Sequence, residues 1–185
     1  MISEEDRSQV IRMKSTIESA LRSSGFYTMC DQAVIDHKNF FVSGGCFTSM
    51  LNDEKPKDFD LYSINPAHGI LFKLWIEENA MYRVEDINPA YGGTLVEGKL
   101  ITSNAITLKN GVQFITRDMG PANNIRNTFD FEHCMPYYHL GEGMIYMSEL
   151  QHHLCKNKLL LKRKVDSGED RTPKFLARGF KIYGS

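Results

Sequence analysis

From residue 39 onward, apolar and polar positions follow the periods of successive short elements. Asn39–Val42 reads as a strand that ends at Ser43-Gly44-Gly45. Residues 46–51 then suit a short helix, and the alternation over Phe59–Ile64 predicts a second strand. Asn65-Pro66 breaks the chain ahead of a helix predicted over Ala67–Asn79, with Ile70, Leu71, Leu74 and Trp75 as its inward stripe. Near the start, Ser3 and Asp6 have capping-box-like spacing. They precede Val10, Ile11, Lys14, Ile17, Ala20 and Leu21, whose apolar members recur at helical intervals, so a packing helix should run to about Ser24-Gly25.

Downstream, residues 81–87 suit a short strand, and the turn-rich stretch 88–98 suits a loop. The clearest hairpin pairs Ala105–Leu108 with Val112–Ile115 across Lys109-Asn110-Gly111, since Asn-Gly favours the left-handed turn that matches strand twist. A strand over Asn127–Met135, another over Gly143–Met147, a helix over Leu150–Lys164 and a short helix within Lys174–Tyr183 complete the expectation. Together these predict a mixed α+β (α/β) fold in one domain over residues 1–185: a packing helix (1–25), a core with a mixed sheet flanked by helices (36–147), and a helical C-terminal segment (148–185).

Composition narrows the function classes. The chain has 185 residues, 42% of them hydrophobic, enough for one core. With 22 basic and 23 acidic residues it lacks the broad positive charge of a general nucleic-acid binder, although a local basic groove is compatible with this balance. No apolar run reaches bilayer length, and Met1-Ile2-Ser3-Glu4-Glu5-Asp6 lacks a signal-peptide layout, so the expectation is a cytoplasmic protein with no membrane partner. Cys30, Cys46, Cys134 and Cys155 form no CxxC and read as reduced, mostly buried thiols.

The chemistry concentrates around residues 43–60. On a strand, Asp58 and Asp60 project to one face while Phe59 and Leu61 project to the other. Two neighbouring carboxylates repel unless a cation lies between them. Gly44 and Gly45 stand just before a helix, where bare backbone lets a phosphate approach. A P-loop is excluded because no Gly-Lys-Ser/Thr ending follows. No Rossmann fingerprint and no Gly-x-Ser-x-Gly element is present either.

Gly44-Gly45, the intervening helix and Asp58-x-Asp60 resemble the signature of the polymerase-β-like nucleotidyltransferase superfamily. The Gly-Gly turn together with Phe129-Asp130-Phe131 is nearest in form to the tRNA nucleotidyltransferase and poly(A) polymerase head domain. The resemblance covers residues 36–140. It implies transfer of a nucleoside monophosphate from an NTP such as ATP to an acceptor, with Mg²⁺ (or Mn²⁺) held by Asp58, Asp60 and, as third carboxylate, Asp130, with Glu132 as the reserve candidate. It further implies that Ser43, Gly44 and Gly45 hold phosphates, with Lys156, Lys158 and Arg126 as candidate cations by position. The chain left after these motifs is too short for a base-selecting helical domain of the usual kind. That favours one-step modification of an RNA end, a protein or a small molecule. The alternative is a non-catalytic nucleotide-binding or interaction protein, antitoxin-like or regulatory, that retains the fold.

Other motifs have plainer readings. His133 and Cys134, on adjacent strand positions, should face opposite sides. His152-His153 reads as partly exposed helix surface, and the basic run from Lys156 to Lys164 as a solvated helix face, with phosphate or RNA contact as its functional alternative. Tyr137-Tyr138 reads as core or pocket wall, with base stacking as its functional alternative.

Overall fold

The computed structural model describes residues 3–79, 94–96, 99–101, 104–165 and 169–185. Helix α1 (Glu4–Ser23) begins at Ser3, whose hydroxyl accepts the Asp6 N–H at 3.1 Å. It buries Met13, Ile17 and Leu21, while Val10 and Ile11 face outward. Gly25, at φ 85°, ends that turn, and α2 (Phe26–Ala33) follows with Phe26, Met29 and Cys30 inward. The sequence gives no warning of α2, because eight residues are too few to establish a helical period.

Strand β1 (Phe40–Ser43), helix α3 (Cys46–Leu51) and strand β2 (Phe59–Ser63) lie close to their predicted bounds. Helix α4 (Pro66–Glu78) is capped by Asn65, whose side chain accepts the Ala67 and His68 N–H groups. Its inward residues are Gly69, Phe72 and Ile76, whereas Ile70, Leu71 and Leu74 are exposed and Trp75 is only partly buried. The predicted stripe was therefore on the wrong face: the helix carries apolar residues around most of its circumference, and periodicity could not choose among them.

Strands β3 (Thr94–Val96) and β4 (Lys99–Ile101) pair antiparallel, so part of the stretch read as loop extends the sheet. The strand expected over 81–87 lies outside the described residues. The hairpin forms as predicted between β5 (Ala105–Thr107) and β6 (Val112–Ile115), with Asn110 at φ 58°.

No strand spans 127–135. Helix α5 (Ala122–Arg126) is followed by a bend, and Glu132–Cys134 makes a 3₁₀ turn, with Phe131 forming one bridge to Lys162. Strands β7 (Tyr137–His139) and β8 (Met144–Tyr146) come next. Helix α6 (Glu149–Asn157), opened by a capping box from Ser148 and Gln151, stops at Lys158 (φ 51°) rather than at Lys164. The chain then forms β9 (Leu159–Leu160), α7 (Thr172–Ala177) and β10 (Lys181–Ile182), with β10 parallel to β9.

The main sheet has the order β3-β4-β5-β6-β2-β1-β7-β8, and only its β2–β6 pairing is parallel. One face buries Phe40, Val42, Leu61 and Phe114 against Ile17, Phe26 and Phe72 of the helices. Each fully buried side chain of this kind contributes roughly 1.5–3 kcal/mol. On the other face Phe41, Tyr62 and Ile125 form a smaller cluster. Alternation along β2 therefore puts Asp60 on the face away from the main core.

Candidate active site

Ser43 pairs with Asp60 across β1 and β2, and this register brings the glycine turn beside the carboxylate. Gly44 adopts φ +96°, and a Cβ built on it would lie 2.7 Å from Asp60 Oδ2. Only glycine fits both the left-handed backbone and the close approach. Asp58 stands just before β2. Gln113 Nε2 donates to its Oδ1 at 3.4 Å, and the hairpin turn abuts the preceding residue, since a Cβ on Gly111 would lie 2.4 Å from the Lys57 carbonyl oxygen.

Burial and the neighbouring Asp58 charge push the Asp60 carboxyl up to about 7, against the opposing pull of Arg171 and Lys174. Asp58 is also raised, by burial, with Arg178, Lys174 and Lys57 opposing. Two oxygen donors raised in this way fit a divalent cation: charge neutralisation relieves the strain between them, and Mg²⁺ is commonly held by one or two carboxylates plus substrate phosphates and water.

Both aspartates open onto a cleft of about 1060 Å³ whose lining also includes Gly44, Gly45 and Asp130. The cleft thus brings together the glycine turn and all three aspartates predicted from sequence. Asp130 is bound differently from the other two. Arg171 engages both of its oxygens, Nε donating to Oδ2 at 2.8 Å and Nη2 to Oδ1. Burial raises the Asp130 carboxyl, but the Arg171 hydrogen bonds and charge outweigh it and hold the group below its ordinary range. Among the described residues no three carboxylate, histidine or cysteine side chains form a metal-sized group. Asp130 therefore shares the cleft with the Asp58–Asp60 pair without clustering with it. Glu132 turns elsewhere, to Arg163 at 3.4 Å and Gln151 at 3.3 Å.

Several predicted phosphate ligands are committed to structure. The buried Ser43 hydroxyl lies 2.7 Å from the Pro136 carbonyl oxygen and 3.1 Å from that of Cys134, which also accepts the Gly44 N–H. Ser43 thus ties β1 to the 3₁₀ turn, which leaves Gly45 as the open member of the motif, with nothing within 4 Å of its Cβ position. Lys156 donates to the Leu51 carbonyl at 3.1 Å, and Arg126 donates to Met135 and covers the Tyr137 ring at 4.5 Å; neither lines the cleft. Lys158 does line it, but is paired with Glu54.

The cleft also holds cations that the sequence analysis does not single out: Lys55, Lys57 and Arg117, and, from the C-terminal segment, Arg171, Lys174 and Arg178. The Lys174–Arg178 spacing of four residues was the available signal, obscured because the tail was read only as a short helix.

His133 and Cys134 do not diverge as expected of strand neighbours. The 3₁₀ turn brings His133 Nε2 within 3.4 Å of Cys134 Sγ, and His133 is fully buried among Phe131, Phe175 and Phe180, with no hydrogen-bond partner for Nδ1 among the described residues. Tyr138 is core and donates to Glu18, while Tyr137 stacks on Tyr146 at 4.8 Å; neither lines the cleft. The four cysteines are buried and free. No helix among the described residues is long and apolar enough to cross a membrane.

A family model described as Gabija anti-defense 2 family protein matches residues 12–156. No curated protein matches the chain in sequence. Among solved structures, the Bacillus stearothermophilus CCA-adding enzyme in complex with CTP superposes with a TM-score of 0.50 at 12% identity, covering 89% of this chain and 41% of that one. A tRNA-processing enzyme in an apo form gives 0.50 at 14% identity, covering 98% and 45%. This likeness shows a nucleotidyltransferase fold, and the chain spans less than half the length of those proteins.

Proposed function

We propose that this chain, which belongs to the Gabija anti-defense 2 family, is a Mg²⁺-dependent nucleotidyltransferase that transfers NMP from an NTP to an acceptor. The observation that carries the reading is the Asp58–Asp60 pair, which opens onto one cleft beside the glycine turn. In the reaction an acceptor oxygen bonds to the α-phosphorus, the bond from that phosphorus to the α,β-bridging oxygen breaks, and pyrophosphate leaves with the electron pair. The acceptor's proton passes to solvent or a nearby base. Asp58 and Asp60 would hold the divalent cation, which when bound supplies Lewis-acid stabilisation of the developing charge. Gly45, open to the cleft, would let the phosphates approach the backbone. Asp130 would act through Arg171 as a positioning residue.

The family description makes a component of Gabija defence the natural acceptor class, whether RNA or protein. The test is incubation of purified protein with each α-labelled NTP, Mg²⁺ or Mn²⁺, and extract from cells carrying that defence. Label moving from one NTP to a discrete product, and lost in Asp58→Ala, is the expected result. Absence of both transfer and metal-dependent NTP binding would sink the proposal.

A second reading is favoured by Arg171, which occupies both oxygens of the candidate third carboxylate. It is a nucleotide-binding interaction protein that retains the fold without turnover. Tight metal-dependent NTP binding without transfer to any acceptor would select it.

A further inference from the structure

We infer that α7 and the residue that ends it form a polyphosphate clamp in which Lys174, within the helix, and Arg178, at its C-cap, bind the β- and γ-phosphates of the nucleotide, held in place by the Arg171–Asp130 pair. The inference rests on the nucleotide-dependent reading of the cleft and adds to it a site that no part of the Gly-Gly and Asp-x-Asp motif supplies. The helix also lies beyond the residues matched by the family model.

Three contacts fix α7 on the body. Arg171, immediately before it, forks onto Asp130 and stacks over the Phe175 ring at 5.3 Å. Phe175 is buried, meeting Phe131 edge-on at 5.1 Å and His133 at 4.8 Å. After the helix, Lys181 donates to the Lys158 carbonyl at 3.0 Å and Tyr183 to that of Leu160 at 2.9 Å, pairing β10 with β9. The segment is thus anchored at its start, its middle and its end. With Phe175 turned inward, Lys174 and Arg178, four residues apart, lie exposed along the same cleft as Asp58 and Asp60.

Their charges explain what they are for. Among the described residues Lys174 and Arg178, like Lys55 and Lys57 in the same cleft, are in no ion pair, unlike Arg171, Lys158 and Arg117, which also line it. What sets Lys174 and Arg178 apart is that theirs are the leading positive charges at Asp58. Both lie near enough to Asp58 to favour its ionised form, and Lys174 does the same for Asp60. Without metal, these two cations, together with Lys57 at Asp58 and Arg171 at Asp60, partly neutralise the carboxylates. Once a divalent cation takes the carboxylates, the same two positive groups face a third and need anions of their own. A triphosphate supplies those anions, so metal and polyphosphate should bind cooperatively.

The test is calorimetry on the intact chain with saturating Mn²⁺, using inorganic tripolyphosphate and a nonhydrolysable NTP as separate probes. Lys174→Ala and Arg178→Ala should each weaken both probes by about tenfold. Their thermal unfolding without ligand should match the parent, because both side chains are exposed. Arg171→Gln should weaken both probes too, but with faster amide exchange over residues 172–177, and Lys174→Arg should restore binding. If the parent binds the NTP and the double alanine variant binds it equally well, the clamp is wrong and the nucleotidyltransferase reading stands. If the parent binds neither probe, both fail together. If the variants bind tripolyphosphate like the parent but lose affinity for a short RNA oligonucleotide, the cations serve an RNA strand and the clamp is again overturned.

Discussion

Gly44 and Asp60 lie so close that one added methyl group on the glycine would fall 2.7 Å from the carboxylate oxygen. Strand pairing sets this distance, since Ser43 lies opposite Asp60 and the chain must turn sharply at the next residue, at φ +96°. The motif's two glycines therefore have different tasks. Gly44 makes room for the aspartate, while Gly45 is in ordinary helical backbone with open space at its Cβ position.

Alanine should separate them. Gly44→Ala is expected to lose about 1–2 kcal/mol to the left-handed backbone alone, with a further penalty as Asp60 is pushed aside, and to lose metal binding. Gly45→Ala should fold at least as well as the parent. Gly45→Val, which projects into the cleft, should weaken nucleotide binding far more than it lowers the unfolding temperature. Thermal unfolding without ligand and calorimetry with a nonhydrolysable NTP give the two readouts. Equal effects of Ala at both positions would discard this division.

Asp58→Ala and Asp60→Ala should each abolish NMP transfer while leaving the fold intact or slightly more stable, because each removes a like-charge repulsion. Activity within a few-fold of the parent at saturating Mg²⁺ in either variant would remove that residue from the mechanism.

What was legible in the sequence follows from how local each signal is. The turn, α3 and the inward and outward faces of β2 come from alternation and glycine placement within twenty residues, and the structure keeps them. The strand read around Asp130 does not form because Phe129-Asp130-Phe131 only imitates an alternating strand: Phe131 makes a single bridge and the flanking phenylalanines enter clusters built by residues far along the chain. Its partner Arg171 is 41 residues away, and no local pattern announces such a pair. Likewise the leucines after Lys158 prolonged a helical period that the left-handed conformation of that residue ends. Lys174 of α7 and Arg178 at its C-cap reach the site only through this long-range return of the chain.

The Arg171–Asp130 pair has its own signature. Asp130→Asn should cost about 2–3 kcal/mol at neutral pH, since it breaks a charged, bidentate and partly buried contact. A carboxyl held below its ordinary range contributes stability above its unfolded value and loses it as pH falls through the depressed one. The gap between parent and Asp130→Asn in urea unfolding should therefore be constant from pH 8 to pH 5 and close only in stronger acid. A gap that closes near neutrality would mean that the pair does not hold Asp130 ionised.

Buried His133 and half-buried Asp60 should tilt stability in opposite directions over the same pH range. Burial, reinforced by the Arg171 charge, depresses His133 to about 4 from its ordinary 6.5, so the unfolded chain takes up a proton that the native one refuses. Stability from this group is full above 6.5 and lost as pH falls toward 4, by up to about 3 kcal/mol. Asp60, raised to about 7, behaves oppositely. The native state keeps a proton that the unfolded chain has released, so stability declines as pH rises from about 4 to 7, by roughly 1–4 kcal/mol. In the parent the two slopes largely cancel, and single variants should expose each. His133→Phe, which substitutes a ring of similar shape among Phe131, Phe175 and Phe180, should gain on the parent at pH 5 and much less at pH 8. Asp60→Asn should gain more at pH 8 than at pH 5. Urea unfolding of the three proteins at both pH values decides the matter: a parent–variant difference that does not change with pH in either case would show that the residue concerned keeps its ordinary protonation in the folded protein.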